Sequence, residues 1–245
     1  MGNGTALYAV SFRVTHKECP QTVHKANSDH PIVSTDEAVT LVGGGHLDRN
    51  VLNISTRHAP RVVAADSGAD RALQFGETPE AVIGDLDSVS DAARSLLKGR
   101  LHEMSDQDKT DFDKALSAIS APLVLAVGFT GGRLDHTMAA LNVLARNPKR
   151  AVILLTREDA TFLAPTRIAL DLPKGCRFAL LPMESCQVST QGLRWNLDRQ
   201  VLAPAGLVSS SNFAEGPVTV VSRGRLLISL EAGQLPVAIA AVLGR

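Results

Sequence analysis

Between residues 36 and 156 the chain alternates short apolar runs with longer amphipathic stretches. Ala38–Val42, Val62–Ala65, Leu123–Val127 and Val152–Leu155 are nearly continuous in apolar residues. Runs of this kind separated by helical stretches predict a parallel sheet covered on both faces. Phe112, Ala115, Leu116 and Ile119 recur at i, i+3, i+4 and i+7, the spacing of one apolar helix face. Thr110 and Asp113 stand at capping-box spacing, which puts Asp111 near that helix's start. A further helix is expected from about Asp135, with Met138, Leu141 and Leu144 or Ala145 turned inward. After about residue 160 the texture changes. Ile168–Leu172, Arg177–Leu181, Cys186–Thr190, Val218–Val221 and Leu226–Leu230 are short, β-prone and punctuated by Pro and Gly. That pattern predicts an antiparallel sandwich or barrel. The expected fold is therefore α/β: an N-terminal parallel-sheet domain over 36–160, followed by a C-terminal antiparallel β-sandwich domain over 161–245. Residues 1–35 show no clear period and form an unassigned N-terminal extension.

A chain of 245 residues can bury a core without help from disulfides or a structural metal. Lys and Arg total 25 and Asp and Glu total 25, so the net charge is zero. This balance argues against a general nucleic-acid or membrane-surface partner. No apolar run approaches the roughly 20 residues of a membrane span, and the N-terminus does not read as a signal peptide. Cys19, Cys176 and Cys186 have no metal-ligand spacing and form no even disulfide framework. Reduced thiols in a cytoplasmic protein are expected.

The neutral total conceals a local acidic bias between residues 66 and 135. Asp66-Ser67-Gly68-Ala69-Asp70, Gly84-Asp85-Leu86-Asp87-Ser88, Asp106-Gln107-Asp108-Lys109-Thr110-Asp111 and Gly131-Gly132-Arg133-Leu134-Asp135-His136 follow one another along the chain. Carboxylates delivered by loops suit a hard cation bound around a phosphate ester, and magnesium is commonly held that way. In an extended backbone Asp85 and Asp87 would point the same way and share one cation. The alternative is an Asp-rich surface turn with Ser88 capping the next helix. Clustered carboxylates repel one another unless a cation compensates them, which favours the metal reading. Gln107 and Asp111 are the favoured functional members of the third motif. Arg133 would stabilise phosphate charge or hold Asp135 in place, and His136 would pack behind the site or contact ligand. Asp66, the Gly43–Gly45 loop and Gly128–Gly132 each follow a predicted strand, so they would open on one sheet edge, where α/β sheets bind ligands. No Gly-x-x-x-x-Gly-Lys-Ser/Thr run is present. Trp195, the sole tryptophan, is either a core residue or a stacking platform.

In order along the chain, these motifs resemble the thiamine pyrophosphokinase family. The resemblance spans about residues 36–235 and extends to Gly192-Leu193-Arg194-Trp195-Asn196-Leu197 and Ser209-Ser210-Ser211-Asn212. It implies an α/β catalytic domain, a β-sandwich thiamine-binding domain and a homodimer with thiamine held between subunits. It also implies Mg2+ dependence and transfer of pyrophosphate from ATP to thiamine, with release of AMP. On that pattern Asp66, Asp85, Asp87 and Asp111 surround the metal and the triphosphate. Gln107, Arg133 and Asp135 bind nucleotide or orient substrate, and Trp195 stacks on thiamine with Ser211 and Asn212 nearby. Asp85, Asp87 and Asp111 would serve catalysis, Asp111 as the first choice to accept the hydroxyl proton. The competing expectations are a magnesium-dependent nucleotide pyrophosphohydrolase, a thiamine-binding protein without catalysis and an Asp-rich α/β protein with no site.

Overall fold

The structure is a computed structural model in which residues 24–25, 30–106 and 108–244 are described. Gln107, Cys19 and most of the 1–35 extension lie outside the described residues. The first part of the chain runs β1 (His24–Lys25), β2 (Val33–Ser34), β3 (Val39–Val42), α1 (Arg49–His58), β4 (Arg61–Ala65), α2 (Gly68–Gln74) and β5 (Ala81–Gly84). It continues as α3 (Asp91–Leu96), β6 (Leu101–Glu103), α4 (Asp111–Ser117), β7 (Ile119–Ser120), β8 (Val124–Val127), α5 (Leu134–Arg146) and β9 (Val152–Leu155). The main strands lie parallel in the order β1-β6-β5-β4-β3-β8-β9, with β2 and β7 forming a separate short pair.

β3, β5, β8 and β9 are buried along their whole lengths, which is why β3, β8 and β9 read as nearly continuous apolar runs. Val42, Leu125 and Ile153 join a core with Val51 and Leu52 of α1. Their neighbours Leu41, Ala126 and Leu154 join a second core with Phe112 and Leu116 of α4 and Val143 and Leu144 of α5. Successive strand side chains point to opposite faces, so each strand serves both cores. Thr40, a polar residue inside β3, is satisfied because its hydroxyl donates to the Ala59 carbonyl at 2.6 Å.

α4 begins as its sequence predicts. Thr110 is the N-cap, and its hydroxyl accepts from the Asp113 amide at 3.3 Å. Ile119 is buried but belongs to β7, past the end of the helix. In α5 the inward face is Ala140, Val143, Leu144 and Ala145, so Met138 is exposed where an inward position was expected.

From β3 the chain moves outward through β4, β5 and β6, then returns as β8 to the other side of β3. This reversal makes the carboxyl ends of β3 and β8 the switch point of the sheet, the edge at which open α/β sheets take ligands.

The remainder is β10 (Asp159–Leu163), β11 (Arg167–Leu170), β12 (Arg177–Pro182), β13 (Cys186–Leu193), β14 (Gln200–Leu202), β15 (Ser209–Arg223), β16 (Leu226–Glu231) and α6 (Leu235–Val242). All its strand pairings are antiparallel, and the ladder continues as β9-β10-β16-β12-β15-β13-β14 with β11 also on β15. Residue 160 lies within β10, which pairs with β9 on one side and β16 on the other. β15 serves two layers: Asn212 and Phe213 pair with β12, whereas Val218–Val221 pair with β11 and β13. Phe162, Ile168, Phe178, Val188, Val220 and Ile228 fill the space between the layers. The chain is thus an α/β unit with a parallel sheet followed by an antiparallel β-rich sandwich. No described helix is long and apolar enough to cross a membrane.

Candidate active site

β3 pairs in register with β4 and β8, Val42 standing opposite both Ala64 and Val127. The three following loops therefore leave from one edge. The loops after β3 and β8 are joined by backbone bonds from Gly43 N to Val127 O (2.8 Å), Gly45 N to Gly128 O (2.7 Å) and His46 N to Thr130 O (3.1 Å). A Cβ on Gly43 would stand 2.6 Å from Gly128 O, and one on Gly44 would stand 2.0 Å from Ser67 Oγ. The glycine run is thus required by the packing of these loops against each other and against the start of α2.

Asp66 leaves β4 in a left-handed conformation, with φ 46°, and is only 4% exposed. A Cβ on Gly84, at the end of β5, would lie 3.1 Å from the Asp66 Cβ and 3.3 Å from Asp111 Oδ1. These contacts bring the ends of β4, β5 and α4 together. Asp85 and Asp87 follow Gly84, but the backbone between them is not extended. Leu86 is left-handed at φ 64° and turns its side chain into a core with Val82, Val89 and Leu97. Burial of Leu86 thus bends the loop, and the two carboxylates still converge. One oxygen each from Asp66, Asp85 and Asp87 lies within 4.8 Å of the others.

The bent loop is fastened by its surroundings. Asp70 accepts from the Ser90 amide at 3.1 Å and from the Ser90 hydroxyl. Arg94 donates to the Leu86 carbonyl and, at 3.2 Å, to the Val89 carbonyl. Ser88 donates to Asp87 at 2.8 Å, while Ser90 caps α3 by accepting from the Ala93 amide at 3.2 Å. Asp70 and Ser90 therefore shape the loop rather than face the cluster.

Lys114 is a member of the site that sequence reasoning missed. It lies one turn beyond Asp111, is 2% exposed, and its Nζ donates to Asp85 Oδ2 at 2.9 Å and Asp111 Oδ1 at 3.1 Å. The i, i+3 spacing of Asp111 and Lys114 in α4 was the available signal. Burial pulls the ammonium down, but its two carboxylate partners outweigh this and raise its pKa. At Asp85 burial pushes upward and is outweighed by Lys114, which holds the carboxyl below its ordinary value. Asp66 is raised, first by burial and further by the charges of Asp111, Asp85 and Asp87, despite an opposing hydrogen bond from the Ser67 backbone.

Lys114 leaves the cluster incompletely neutralised. Asp66 Oδ1 and Asp85 Oδ1 are buried and have no hydrogen-bond partner among the described residues. Orphaned carboxylate oxygens beside a third acid are hard donors suited to a magnesium ion, so the residues fit that group. Asp111 stands beside them, bound to Lys114.

Phe129 stacks on Phe112 of α4 at 4.1 Å and anchors the loop leading to α5. Arg133 Nε donates to Asp135 Oδ1 at 3.1 Å and Nη2 to Oδ2 at 2.5 Å. This pairing lowers the Asp135 pKa to about 2. Both residues and His136 are exposed at the start of α5.

Trp195 is 57% exposed and is not a core residue. The Arg194 guanidinium lies over its ring at 5.6 Å and over the Phe213 ring at 5.0 Å. Asn212 is buried and holds the Trp195 backbone, accepting from its amide at 3.2 Å and donating to its carbonyl at 2.8 Å. Ser211 is exposed on the adjoining stretch of β15. Along the ladder, seven strands separate β4, which delivers Asp66, from β13, which leads to Trp195. At about 4.8 Å per strand this is roughly 40 Å along the sheet.

Residues 39–155 match the family description "Thiamin pyrophosphokinase, catalytic domain", and residues 166–227 match "Thiamin pyrophosphokinase, vitamin B1 binding domain". Thiamine pyrophosphokinase 2 of Arabidopsis thaliana is 31% identical over 221 residues, covering 74% of this chain and 82% of the relative. Thiamine pyrophosphokinase 1 of Oryza sativa subsp. japonica is 30% identical over 188 residues, covering 62% of this chain and 71% of the relative. The solved thiamin pyrophosphokinase from Candida albicans has the same fold, with a TM-score of 0.68 at 17% identity over 85% of this chain and 95% of that one. From the two matched regions and the extent of these relatives, the chain belongs to the thiamine pyrophosphokinase family.

Proposed function

We propose that this chain is a thiamine diphosphokinase, transferring pyrophosphate from ATP to the hydroxyl of thiamine to give thiamine diphosphate and AMP. The observation that carries this reading is the convergence of Asp66, Asp85 and Asp87 at the carboxyl edge of the sheet, with two buried oxygens left unpartnered. The hydrolase and non-catalytic alternatives are not favoured, since both regions of the transferase family are matched.

Asp66, Asp85, Asp87 and Asp111 would hold Mg2+, which when bound offsets triphosphate charge and polarises the attacked phosphorus. The thiamine oxygen forms a bond to the β-phosphorus, the bond from that phosphorus to the α–β bridging oxygen breaks, and AMP leaves with the electron pair. The proton of the hydroxyl passes to a carboxylate, Asp111 being the first choice. Lys114 holds Asp85 and Asp111 in place from beneath and keeps Asp85 ionised. Arg133 turns from Asp135 toward a phosphate when nucleotide arrives, and Gln107 and His136 complete the nucleotide side. Little bond-making falls to the protein in such a transfer, so positioning and charge compensation dominate.

Thiamine stacks on the exposed Trp195, with Ser211 at the rim and Asn212 fixing the Trp195 backbone. The separation of Trp195 from the acidic cluster along the sheet supports a homodimer in which one subunit offers the carboxylates and the other the stacking ring. A cytoplasmic setting belongs to the same reading, supported by Cys176 and Cys186 being free and buried. The test is a product assay with ATP, Mg2+ and thiamine. Equal amounts of AMP and thiamine diphosphate, both absent without thiamine, are expected. ADP with thiamine monophosphate, or AMP formed without thiamine, would contradict the reading.

A further inference from the structure

A cleft of about 810 Å³ lies on the side of the sheet opposite the acidic cluster. Its walls come from both parts of the chain. Pro122 precedes β8, Lys149 and Arg150 lead into β9, Leu163 ends β10, Ser222 and Arg223 end β15, and Val242 and Leu243 close α6. The volume is within the range of small-molecule sites.

The charge of the cleft is one-sided. Lys149, Arg150, Arg223 and Arg225 line it, and no carboxylate does. Arg225 is paired with Glu184 at 3.1 Å, whereas Lys149 and Arg223 have no ion pair among the described residues. Arg150 is half-buried, and its guanidinium donates to the Ile119 carbonyl without a carboxylate to offset its charge. Burial lowers the pKa of that guanidinium, the response of a cation that lacks a counter-ion. A second observation is independent of charge. Ser222 lines the same cleft, is 2% exposed, and its hydroxyl has no hydrogen-bond partner among the described residues. An unpartnered buried hydroxyl is costly and calls for a ligand acceptor.

We propose that this cleft binds a small organic phosphate, distinct from the substrates at the acidic edge. Arg150, Arg223 and Lys149 take the phosphate oxygens, Ser222 donates its hydroxyl, and Leu163 and Val242 cover the apolar body. Guanidinium forks match phosphate geometry with paired hydrogen bonds, and phosphate is the anion that accepts from several donors at once. The apolar wall favours an organic phosphate over the inorganic ion. A ligand here touches both the α/β unit and the sandwich, so it fixes their packing from the side remote from chemistry.

The experiment is calorimetric titration of the full chain with phenyl phosphate and with inorganic phosphate. Chelator is present and magnesium absent, so the uncompensated carboxylates repel either probe at the acidic edge. Saturable one-site binding is expected, at least about fivefold tighter for phenyl phosphate. The variant Lys149→Ser with Arg223→Ser, both exposed positions, should weaken it at least about tenfold with an unchanged melting temperature. Ser222→Ala should weaken it less, and Asp66→Asn should leave it intact. The proposal is overturned by absence of saturable heat, by equal affinity for the two probes, by normal binding in the double variant, or by loss of binding in Asp66→Asn. None of these readouts depends on turnover, so the transferase reading stands or falls separately.

Discussion

Asp66 and Lys114 carry opposite energetic roles in the same few ångströms. Asp66 has a pKa raised above its ordinary 3.8, so folding favours its protonated form. Its contribution to stability is complete below that ordinary value and is lost as pH rises through the raised one. In metal-free protein, Asp66→Asn should therefore remove part of the fall in melting temperature between about pH 4 and neutrality. It should also abolish stabilisation by Mg2+. Thermal melts across pH with chelator check this, and identical pH slopes in the two proteins would refute it. Asp85 has the reverse sign: held below 3.8, it contributes stability that is lost only as pH falls through its lowered pKa. Asp85→Asn should keep the fold yet reduce turnover at least about a hundredfold, read by the product assay. Lys114 is the single cation bound within the cluster among the described residues. Lys114→Met should destabilise the metal-free protein by about 2–3 kcal/mol, less than a fully buried pair because both carboxylates are partly exposed. Added Mg2+ should recover more stability in that variant than in the parent. Urea denaturation with and without Mg2+ tests both statements, and equal recovery would show that Lys114 does not screen the carboxylates.

At the scale of elements, the carboxyl edge is built by close approach of loops, and glycine positions measure that closeness. A Cβ on Gly68 would stand 2.0 Å from the Val42 carbonyl oxygen, so α2 could not start where it does. Gly68→Ala should cost about 3 kcal/mol by overpacking. Gly76 has a left-handed φ of 89°, but a Cβ there meets open space, so Gly76→Ala should cost only about 1–2 kcal/mol. Urea unfolding of both variants checks the contrast, and equal losses would mean that α2 can shift freely. The same elements show what the sequence makes legible. Strands β3, β4, β8 and β9 stand out because burial on both faces demands apolar runs, and α4 is marked by its Thr110 cap. Strand β5, Ala81–Gly84, is harder to see because its apolar run stops at Ile83 and is flanked by Glu80 and Gly84, yet it delivers Asp85 and Asp87. The bend at Leu86 is equally hidden, because a left-handed leucine is stabilised by a core that forms only when α3 packs. Lys114 was concealed among the buried positions of α4, where its charge is tolerated because partners arrive from β5. The phase of α5 misled at Met138, since an apolar residue at helical spacing can still face outward.

For the whole molecule, seven strands separate the acidic edge from Trp195 along the sheet of one chain, and the proposed homodimer would join them by letting a second copy supply what the first lacks. A two-fold dimer would then carry two equivalent centres, each completed by the partner. This arrangement makes a quantitative forecast. Asp85→Asn lacks a carboxylate and Trp195→Ala lacks the stacking ring, so each homodimer has both centres damaged. In a mixed dimer, one centre joins both lesions and the other joins two intact contributions. Random exchange of equal amounts makes about half of the dimers mixed, each with one working centre of two. The mixture should therefore regain about a quarter of parental turnover, whereas each variant alone stays inactive. Turnover measured after the two proteins are unfolded and refolded together gives the answer. Recovery near a quarter requires carboxylates and ring to meet across the subunit boundary. No recovery, with mixed dimers demonstrated by differential tagging, would place both halves of the site within one chain and demand that the sandwich fold back over the acidic edge.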